Sequence, residues 1–342
     1  MKRSSPLRIL AVTNMYPTVE DPAFGSFVAS QMRSLESAGV SVTVDFLNGR
    51  QSNWEYLRAI HRIRQQAGRG GFDVVHAHYG LTGFIAAFQS LPLVVSFCGD
   101  DLLGTPDGSG GRTVKSRLAV HLSRIAARRA DAIICKSEQL RDALPPKIDR
   151  SRVHVIGNGV DTTRFCPGDQ AAARKRLGVG AHATERLIIF PHSRRQAAVK
   201  RFDLAEGAVS ALCALGVRAR LWVVNGVAPE AMADYYRAAD CFLLTSDHEG
   251  SPNTVKEALC CNLPVVSVDV GDVRRWLTLT PGCRLVARDP SDIARGLSEV
   301  LGWGGRVDGS RVRAEIASSV VAKQVLNVYS EAIARRSRSD GT

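Results

Sequence analysis

The feature that most constrains the fold is a repeated unit of a short apolar run, a polar loop at its carboxyl end, and a segment with apolar residues at helical spacing. In the first copy, residues 7–12 are apolar, a loop ends near Gly25, and Phe27, Val28, Met32, Leu35 and Ala38 keep one helical face apolar before Gly39. Such spacing marks a helix, and glycine suits the left-handed position past its end. Residues 40–46 then alternate strictly, as a half-buried strand does. Further apolar runs at 73–80, 93–97, 131–135, 153–156, 187–190, 221–224, 241–245 and 264–268 repeat the unit. Strands alternating with helices predict parallel α/β sheets.

A chain of 342 residues exceeds what one core usually supports, so two domains are expected. The turn-rich Gly157-Asn158-Gly159-Val160-Asp161 is the predicted linker, which gives domains over 1–157 and 158–310. A helix over 311–335 is long enough to run back across the first domain, and the tail from 337 is polar, basic and frayed. Hydrophobic content of 45% and charged content of 23% suit a soluble globular protein. The longest apolar runs fall far short of the roughly 20 residues of a spanning helix, and no signal-peptide pattern opens the chain. The eight cysteines are scattered without C-x-x-C pairs, so buried free thiols in a reducing cytoplasm are expected and a zinc site is not.

The net charge of +12 implies an anionic partner: nucleic acid, an acidic bilayer or a phosphorylated substrate. Part of it sits on two predicted helices, over 54–69 (Arg58, Arg62, Arg64, Arg69) and 113–129 (Lys115, Arg117, Arg124, Arg128, Arg129). These are faces for anionic lipid or ordinary solvated surfaces. His76 and His78 reach the carboxyl end of one strand, where they could face a ligand; no carboxylate or cysteine accompanies them nearby, so no metal is expected. Gly25 could let a ligand approach the backbone, or simply serve the turn. The basic stretch 191–201, with Arg194, Arg195, Lys200 and Arg201, precedes a helix as phosphate-binding loops do, although surface loops also carry such residues without a duty.

The densest segment is 246–259. Ser251 suits an N-cap and Pro252 the first helical position, so a helix N-terminus should follow the strand at 241–245, with the backbone amides of Asn253, Thr254 and Val255 near its start. Glu249 precedes that helix, and Glu257 lies about five residues inside it, roughly 7 to 8 Å along the axis. One extended ligand could touch both carboxylates; alternatively both are solvated surface acids.

These residues resemble the retaining glycosyltransferases of family 4. Glu249 and Glu257 reproduce the E-x7-E signature inside E-G-S-P-N-x-x-K-E-A-L, followed by P-V-V-S-x-D-V-G-D; 158–165 is similar to the family's inter-domain element, and Gly25, His78 and 99–102 fall where its first-domain motifs would. The resemblance implies a GT-B fold, with two facing Rossmann-like domains and a cleft between them. The first would be the acceptor side and the second the nucleotide-sugar donor side, with the C-terminal helix packing toward the first. It implies that Glu249 stabilises the oxocarbenium-like transition state, Glu257 holds the ribose, and Lys200 with Arg195 or Arg194 neutralises the leaving diphosphate. Ser251, Asn253, Thr254, Val255 and Gly25 are then donor-binding positions, and His78 is a donor-site contact. Two departures stand out: the glycine usual after the lysine is Arg201, and the stretch 215–240 is short for the family.

The implied reaction moves a sugar from a nucleotide-diphosphate sugar to a sugar, lipid-linked or small-molecule acceptor, with retention and without metal or other cofactor. It would occur in the cytoplasm, with the anionic inner face of the membrane as a candidate docking surface and no nucleic acid partner. A glycosidase would also use two carboxylates, about 5 to 10 Å apart, but has no diphosphate for the basic loop to neutralise. A non-catalytic nucleic-acid binder fits the charge but lacks aromatics clustered beside the basic runs, and a sugar-nucleotide epimerase could share the architecture.

Overall fold

The computed structural model describes residues 6–22, 24–49, 54–105, 113–180, 185–191 and 197–339. The chain forms two compact units, Met1–Gly159 with Ser318–Thr342, and Val160–Ala317.

The first unit holds six strands: β1 (Arg8–Thr13), β2 (Ser41–Phe46), β3 (Val74–His78), β4 (Leu93–Phe97), β5 (Ala132–Cys135) and β6 (Val153–Val155). All pairings are parallel, in the order β2-β1-β3-β4-β5-β6. Strands β3, β4 and β5 are buried along their whole length, as expected of central parallel strands covered by helices on both faces. Alternation sends Ile9, Ala11, Val74, Val94, Ala132 and Ile134 to one face, against the helix Ser26–Ser37 and the C-terminal helix Ser318–Ser339. Val75, Ala77, Val95, Phe97 and Ile133 go to the other.

The C-terminal helix completes the first core through Val321, Val325, Val328, Tyr329 and Ala332, which recur at helical spacing. It is not the single helix over 311–335 that periodicity predicts. A separate helix, Ser310–Ile316, belongs to the second unit and ends where Ala317 turns extended at φ −50° and ψ 135°. There the Ile316 carbonyl accepts from the Val160 amide at 2.8 Å, a partner that an uninterrupted helix would not have left free.

The second unit holds β7 (Arg186–Pro191), β8 (Ala219–Val224), β9 (Cys241–Leu244), β10 (Val265–Val268) and β11 (Arg284–Val286), again all parallel, in the order β11-β10-β9-β7-β8. Between 215 and 240 there is room for only β8 and the short helix Met232–Ala238. The two sheets share one design: the first strand of each lies between the second and the third, so strand order reverses there. Such switch points open a crevice at the carboxyl ends of the strands, between β1 and β3 in one unit and between β7 and β9 in the other.

Candidate active site

In the second unit the switch point brings together loops distant in sequence. The chain leaving β7 passes through Lys200, and the chain leaving β9 carries Ser246 and Glu249. Lys200 Nζ donates to Glu249 Oε1 at 2.6 Å, and Ser246 Oγ donates to the same oxygen at 2.9 Å. Both charged side chains keep slight solvent access, 12% and 18%. Thr245 fixes the approach, since its Oγ1 lies 2.7 Å from the Lys200 carbonyl and 3.0 Å from that of Arg201, while the Asp247 amide donates to the Val199 carbonyl at 2.9 Å.

Arg201 occupies the left-handed region at φ 50° and ψ 57°, where glycine is the unstrained residue; this accounts physically for the glycine usual at that position. Its guanidinium pairs with Asp203 at 2.8 Å and Asp247 at 3.2 Å, contacts a glycine could not make. Arg194 and Arg195 lie outside the described residues.

The helix after β9 runs Asn253–Cys260, and its start corrects the sequence expectation. Pro252 is the residue before the first turn, with no side-chain cap among the described residues. Ser251 does not cap, because its hydroxyl is taken: it donates to Asp272 Oδ2 at 2.7 Å and accepts from Lys256 Nζ at 2.8 Å. No side-chain cap among the described residues therefore occupies this helix start, where helix polarity favours an anion. Val255 is fully buried, backbone included, so of Asn253, Thr254 and Val255 only the first two reach the surface.

Lys256, on an otherwise apolar face of this helix, is fully buried, and burial holds its ammonium below the usual lysine range. Together with Trp276 Nε1, which donates to Asp272 Oδ2 at 2.8 Å, it ties the loop after β10 to the helix start. Gly271, at φ 58°, completes that contact, since a Cβ there would lie 2.9 Å from the Gly250 carbonyl oxygen and 3.0 Å from that of Glu249. Sequence reasoning gave Ser246, Lys256, Asp272 and Gly271 no role. A lysine inside an apolar helical stripe is the one signal that could have raised the question.

Glu257 sits four residues into the helix and half-buried. Tyr236 donates to its Oε2 at 3.1 Å, yet burial pushes its carboxyl up from 4.5 to about 7. It is thus a hydrogen-bond acceptor poised to gain donors.

In the first unit, His78 ends β3 fully buried, its ring centroid 4.1 Å from that of His76. Neither His78 nitrogen has a hydrogen-bond partner among the described residues, and burial holds the imidazole well below its usual range. His76 does not face a ligand: Nδ1 bonds the Tyr329 hydroxyl at 2.7 Å and Nε2 the Ser96 hydroxyl at 2.8 Å. Gly25 serves the chain itself. At φ 65° it starts the helix Ser26–Ser37, and a Cβ would fall 2.3 Å from the Met15 carbonyl carbon. The 99–102 turn is knotted by buried Asp101, which accepts from the amides of Gly80, Cys98 and Gly99 at 2.8 to 3.1 Å; burial nonetheless raises its carboxyl to about 6.

The two basic helices form as Trp54–Gly68 and Val114–Arg129. Arg62 is not part of a free basic face, because its guanidinium bonds Asp45 at 2.7 Å and Glu55 at 2.8 Å. Five cysteines are buried as expected, whereas Cys98 and Cys166 are half-buried and Cys213 is exposed; all eight are free thiols. Among the described residues no helix is long and apolar enough to cross a membrane.

Comparison with known proteins places this geometry in a family. The model for Glycosyltransferase Family 4 matches residues 19–164, and that for Glycosyl transferases group 1 matches 203–302. A D-inositol 3-phosphate glycosyltransferase of Geodermatophilus obscurus is 28% identical over 289 residues, covering 72% of this chain, which spans 63% of the relative's length. One from Xylanimonas cellulosilytica is 27% identical over 323 residues, covering 82% of this chain and 77% of the relative. Among solved structures, sucrose-phosphate synthase from Thermosynechococcus elongatus superposes with a TM-score of 0.78 at 16% identity, covering 96% of this chain and 99% of that one. Anabaena Alr3699/HepE in complex with UDP-glucose superposes at 0.68 and 16% identity, covering 95% and 99%. The two units, their shared sheet order and the matched segments agree: the chain belongs to the family 4 glycosyltransferases and has the GT-B fold.

Proposed function

We propose that the chain transfers a sugar from a nucleoside-diphosphate sugar to an acceptor hydroxyl, with retention at the anomeric carbon and without a metal ion. The observation that carries this reading is the Lys200–Glu249 pair at 2.6 Å beside an uncapped helix start. Breaking the bond between the anomeric carbon and the diphosphate oxygen leaves positive charge on carbon and negative charge on phosphate. Glu249 stabilises the first, while Lys200 and the amides of Asn253 and Thr254 stabilise the second. The acceptor oxygen bonds to the anomeric carbon from the face the diphosphate leaves, and its proton passes to the departing phosphate oxygen, so no separate base is needed. Arg195 or Arg194 adds charge to that phosphate, and Glu257 accepts from the ribose hydroxyls.

Release of nucleoside diphosphate only when acceptor is present, with the product anomer matching the donor by NMR and the rate unchanged by EDTA, would establish all three parts. Hydrolysis of simple glycosides instead would overturn the reading. The free thiols suit a reducing compartment such as the cytoplasm.

A second reading concerns where the enzyme works. Trp54, Leu57, Val114 and Leu118 are 58 to 80% exposed at the starts of the two basic helices, near exposed Arg58, Lys115 and Arg117. Apolar side chains interleaved with cations suit an anionic bilayer surface and a lipid-linked acceptor. Sedimentation with vesicles containing phosphatidylglycerol should deplete the protein from solution. Equal recovery with neutral vesicles would remove this surface from the account.

A further inference from the structure

The amino ends of β7 and β9 lie at the opposite end of the second sheet from Lys200 and Glu249, and they hold a second cluster of charge. Arg186 opens β7, Asp240 directly precedes β9, and Gln170 and Arg174 belong to the helix Gln170–Arg176. The segment leaving the helix Pro290–Trp303 brings Gly304, Gly305 and Arg306 to the same place. The six residues of β7 put roughly 16 Å between this cluster and the loop that leads to Lys200.

Asp240 is already committed to the fold. Its Oδ2 accepts from the Leu187 amide at 2.7 Å and from Arg174 Nη2 at 2.8 Å, and its Oδ1 accepts from Gln170 Nε2 at 3.2 Å. Arg174 also donates through Nε to the Ala238 carbonyl at 3.0 Å, which fastens the end of the helix Met232–Ala238. Arg186 and Arg306 are left without a carboxylate of their own. The Arg186 guanidinium stands 3.7 Å from Asp240 Oδ1, too far for a hydrogen bond, and it bonds nothing else among the described residues. Glu185 beside it turns to Arg220 at 3.1 Å. Arg306 donates to the carbonyls of Tyr236 and Arg237, which carry no formal charge, and burial holds it below the usual arginine range. A guanidinium has further N–H donors to give.

Arg186 and Arg306 line one cavity of about 60 Å³, whose wall is completed by Gly304 and Gly305. A Cβ on Gly304 would lie 4.0 Å from Arg186 Nη2, so this guanidinium sits directly against the glycine turn. Water needs about 10 to 15 Å³ of such space apiece, which leaves room for roughly four to six waters or for one phosphate group. The carboxyl end of the helix Pro290–Trp303 adds about half a negative charge. Three guanidinium groups against one carboxylate and that half charge still leave the site positive. Arginine forks onto phosphate oxygens with two parallel bonds, a geometry that uncharged carbonyls do not use up.

We propose that Arg186 and Arg306 form a phosphate-binding site at the amino end of the second sheet, opposite the Lys200–Glu249 pair. Its ligand is inorganic phosphate or the phosphate group of a small phosphorylated molecule, whose organic part extends to solvent because the cavity has room for the phosphate alone. Bound there, the anion joins the start of β7 to the segment after the helix Pro290–Trp303 and stabilises the second unit.

Calorimetric titration of inorganic phosphate into the full chain reads the site, with sodium chloride at matched ionic strength as the blank. Arg186→Gln should weaken phosphate by about tenfold or more, as loss of a charged hydrogen bond does, and should shrink the rise in Tm that phosphate produces. Lys200→Gln, which removes a cation at the other end of the sheet, should leave that affinity within about twofold. Arg306→Gln should match Arg186→Gln; if its lost bonds to Tyr236 and Arg237 prevent folding, Arg186→Gln decides, because that side chain is 46% exposed. Glycerol phosphate distinguishes the two sources: equal affinity assigns the site to the phosphate group alone, and tighter binding assigns it to a phosphorylated molecule. No phosphate binding, affinity unchanged in Arg186→Gln, or affinity lost in Lys200→Gln instead would overturn the site and leave water in the cavity.

Discussion

The two switch points share a topology and differ in how their polar groups are partnered. After β7 and β9, Lys200 and Glu249 neutralise each other while staying slightly open to solvent. After β1 and β3, the corresponding position holds His78, uncharged and closed off, with neither nitrogen bonded. A pair of opposite charges at an accessible site can exchange partners as charge develops in a reacting ligand. A buried neutral imidazole can only add hydrogen bonds to something that reaches it. Topology therefore selects where the two sites lie, while the partners on neighbouring loops select what each can do.

The sharpest break in this comparison would come from Glu249. Glu249→Gln keeps the shape and removes the charge, and should lower kcat by roughly 10² to 10³ as other single electrostatic contacts do. Nucleoside diphosphate release measures it, and a rate within about tenfold of the parent would mean the pair is structural. Next in size, Glu257→Ala should weaken nucleotide binding by about 10- to 100-fold in calorimetry, the equivalent of about 1.5 to 3 kcal/mol for bonds to a charged acceptor. Unchanged affinity would move the ribose elsewhere.

The same carboxyl gives a pH test. Its value rises on folding from 4.5 to about 7 through burial. Between those values the folded chain holds a proton that the unfolded chain has lost, so this group's contribution to stability declines as pH rises through that window. Glu257→Gln has no such proton to hold, and its Tm relative to the parent should climb between about pH 5 and about pH 8. Nucleotide affinity of the parent should strengthen over the same range, because ribose hydroxyls donate to the deprotonated form. A flat difference in Tm would place the titration elsewhere.

Two smaller effects probe how each end is held. Tyr329→Phe removes one of the two bonds to His76 and should cost about 1 to 2 kcal/mol in denaturant unfolding. Arg201→Gly relieves a left-handed backbone worth roughly 1 to 2 kcal/mol but gives up ion pairs worth about 0.2 to 1 kcal/mol each and adds unfolded-state entropy. The two sides nearly cancel, so a net change under about 1 kcal/mol is expected. A loss well beyond that would show that the bonds of Arg201 to Asp203 and Asp247 hold the Lys200 loop in place.

Much of the fold was legible because the informative patterns are local. Apolar runs that alternate with helical stripes identify strands β1 to β10, and Gly25 and Gly39 mark the first helix ends. The E-x7-E spacing located Glu249 and Glu257 for the same reason, since both belong to one loop and its helix. The single long helix over 311–335 failed because periodicity does not register one extended residue, and Ala317 carries no breaker signal. Ser251 was misassigned because its competitors, Lys256 and Asp272, reach it from inside the helix and from another loop. His76 read as a residue that could face a ligand because nothing nearby in sequence announces Tyr329, 253 residues away from it.

The sequence by itself determined the class of fold, the two-unit organisation and the carboxylates of the second unit, because strand alternation, helical stripes and a short motif are all encoded within a few turns of chain. Only the tertiary structure decided that Lys200 meets Glu249, that Ser251 is spent on Lys256 and Asp272, and that Arg186 and Arg306 line one cavity. Each of those contacts joins segments that lie far apart in the chain or on different elements, and whether a buried polar group is satisfied depends on partners that no local pattern contains.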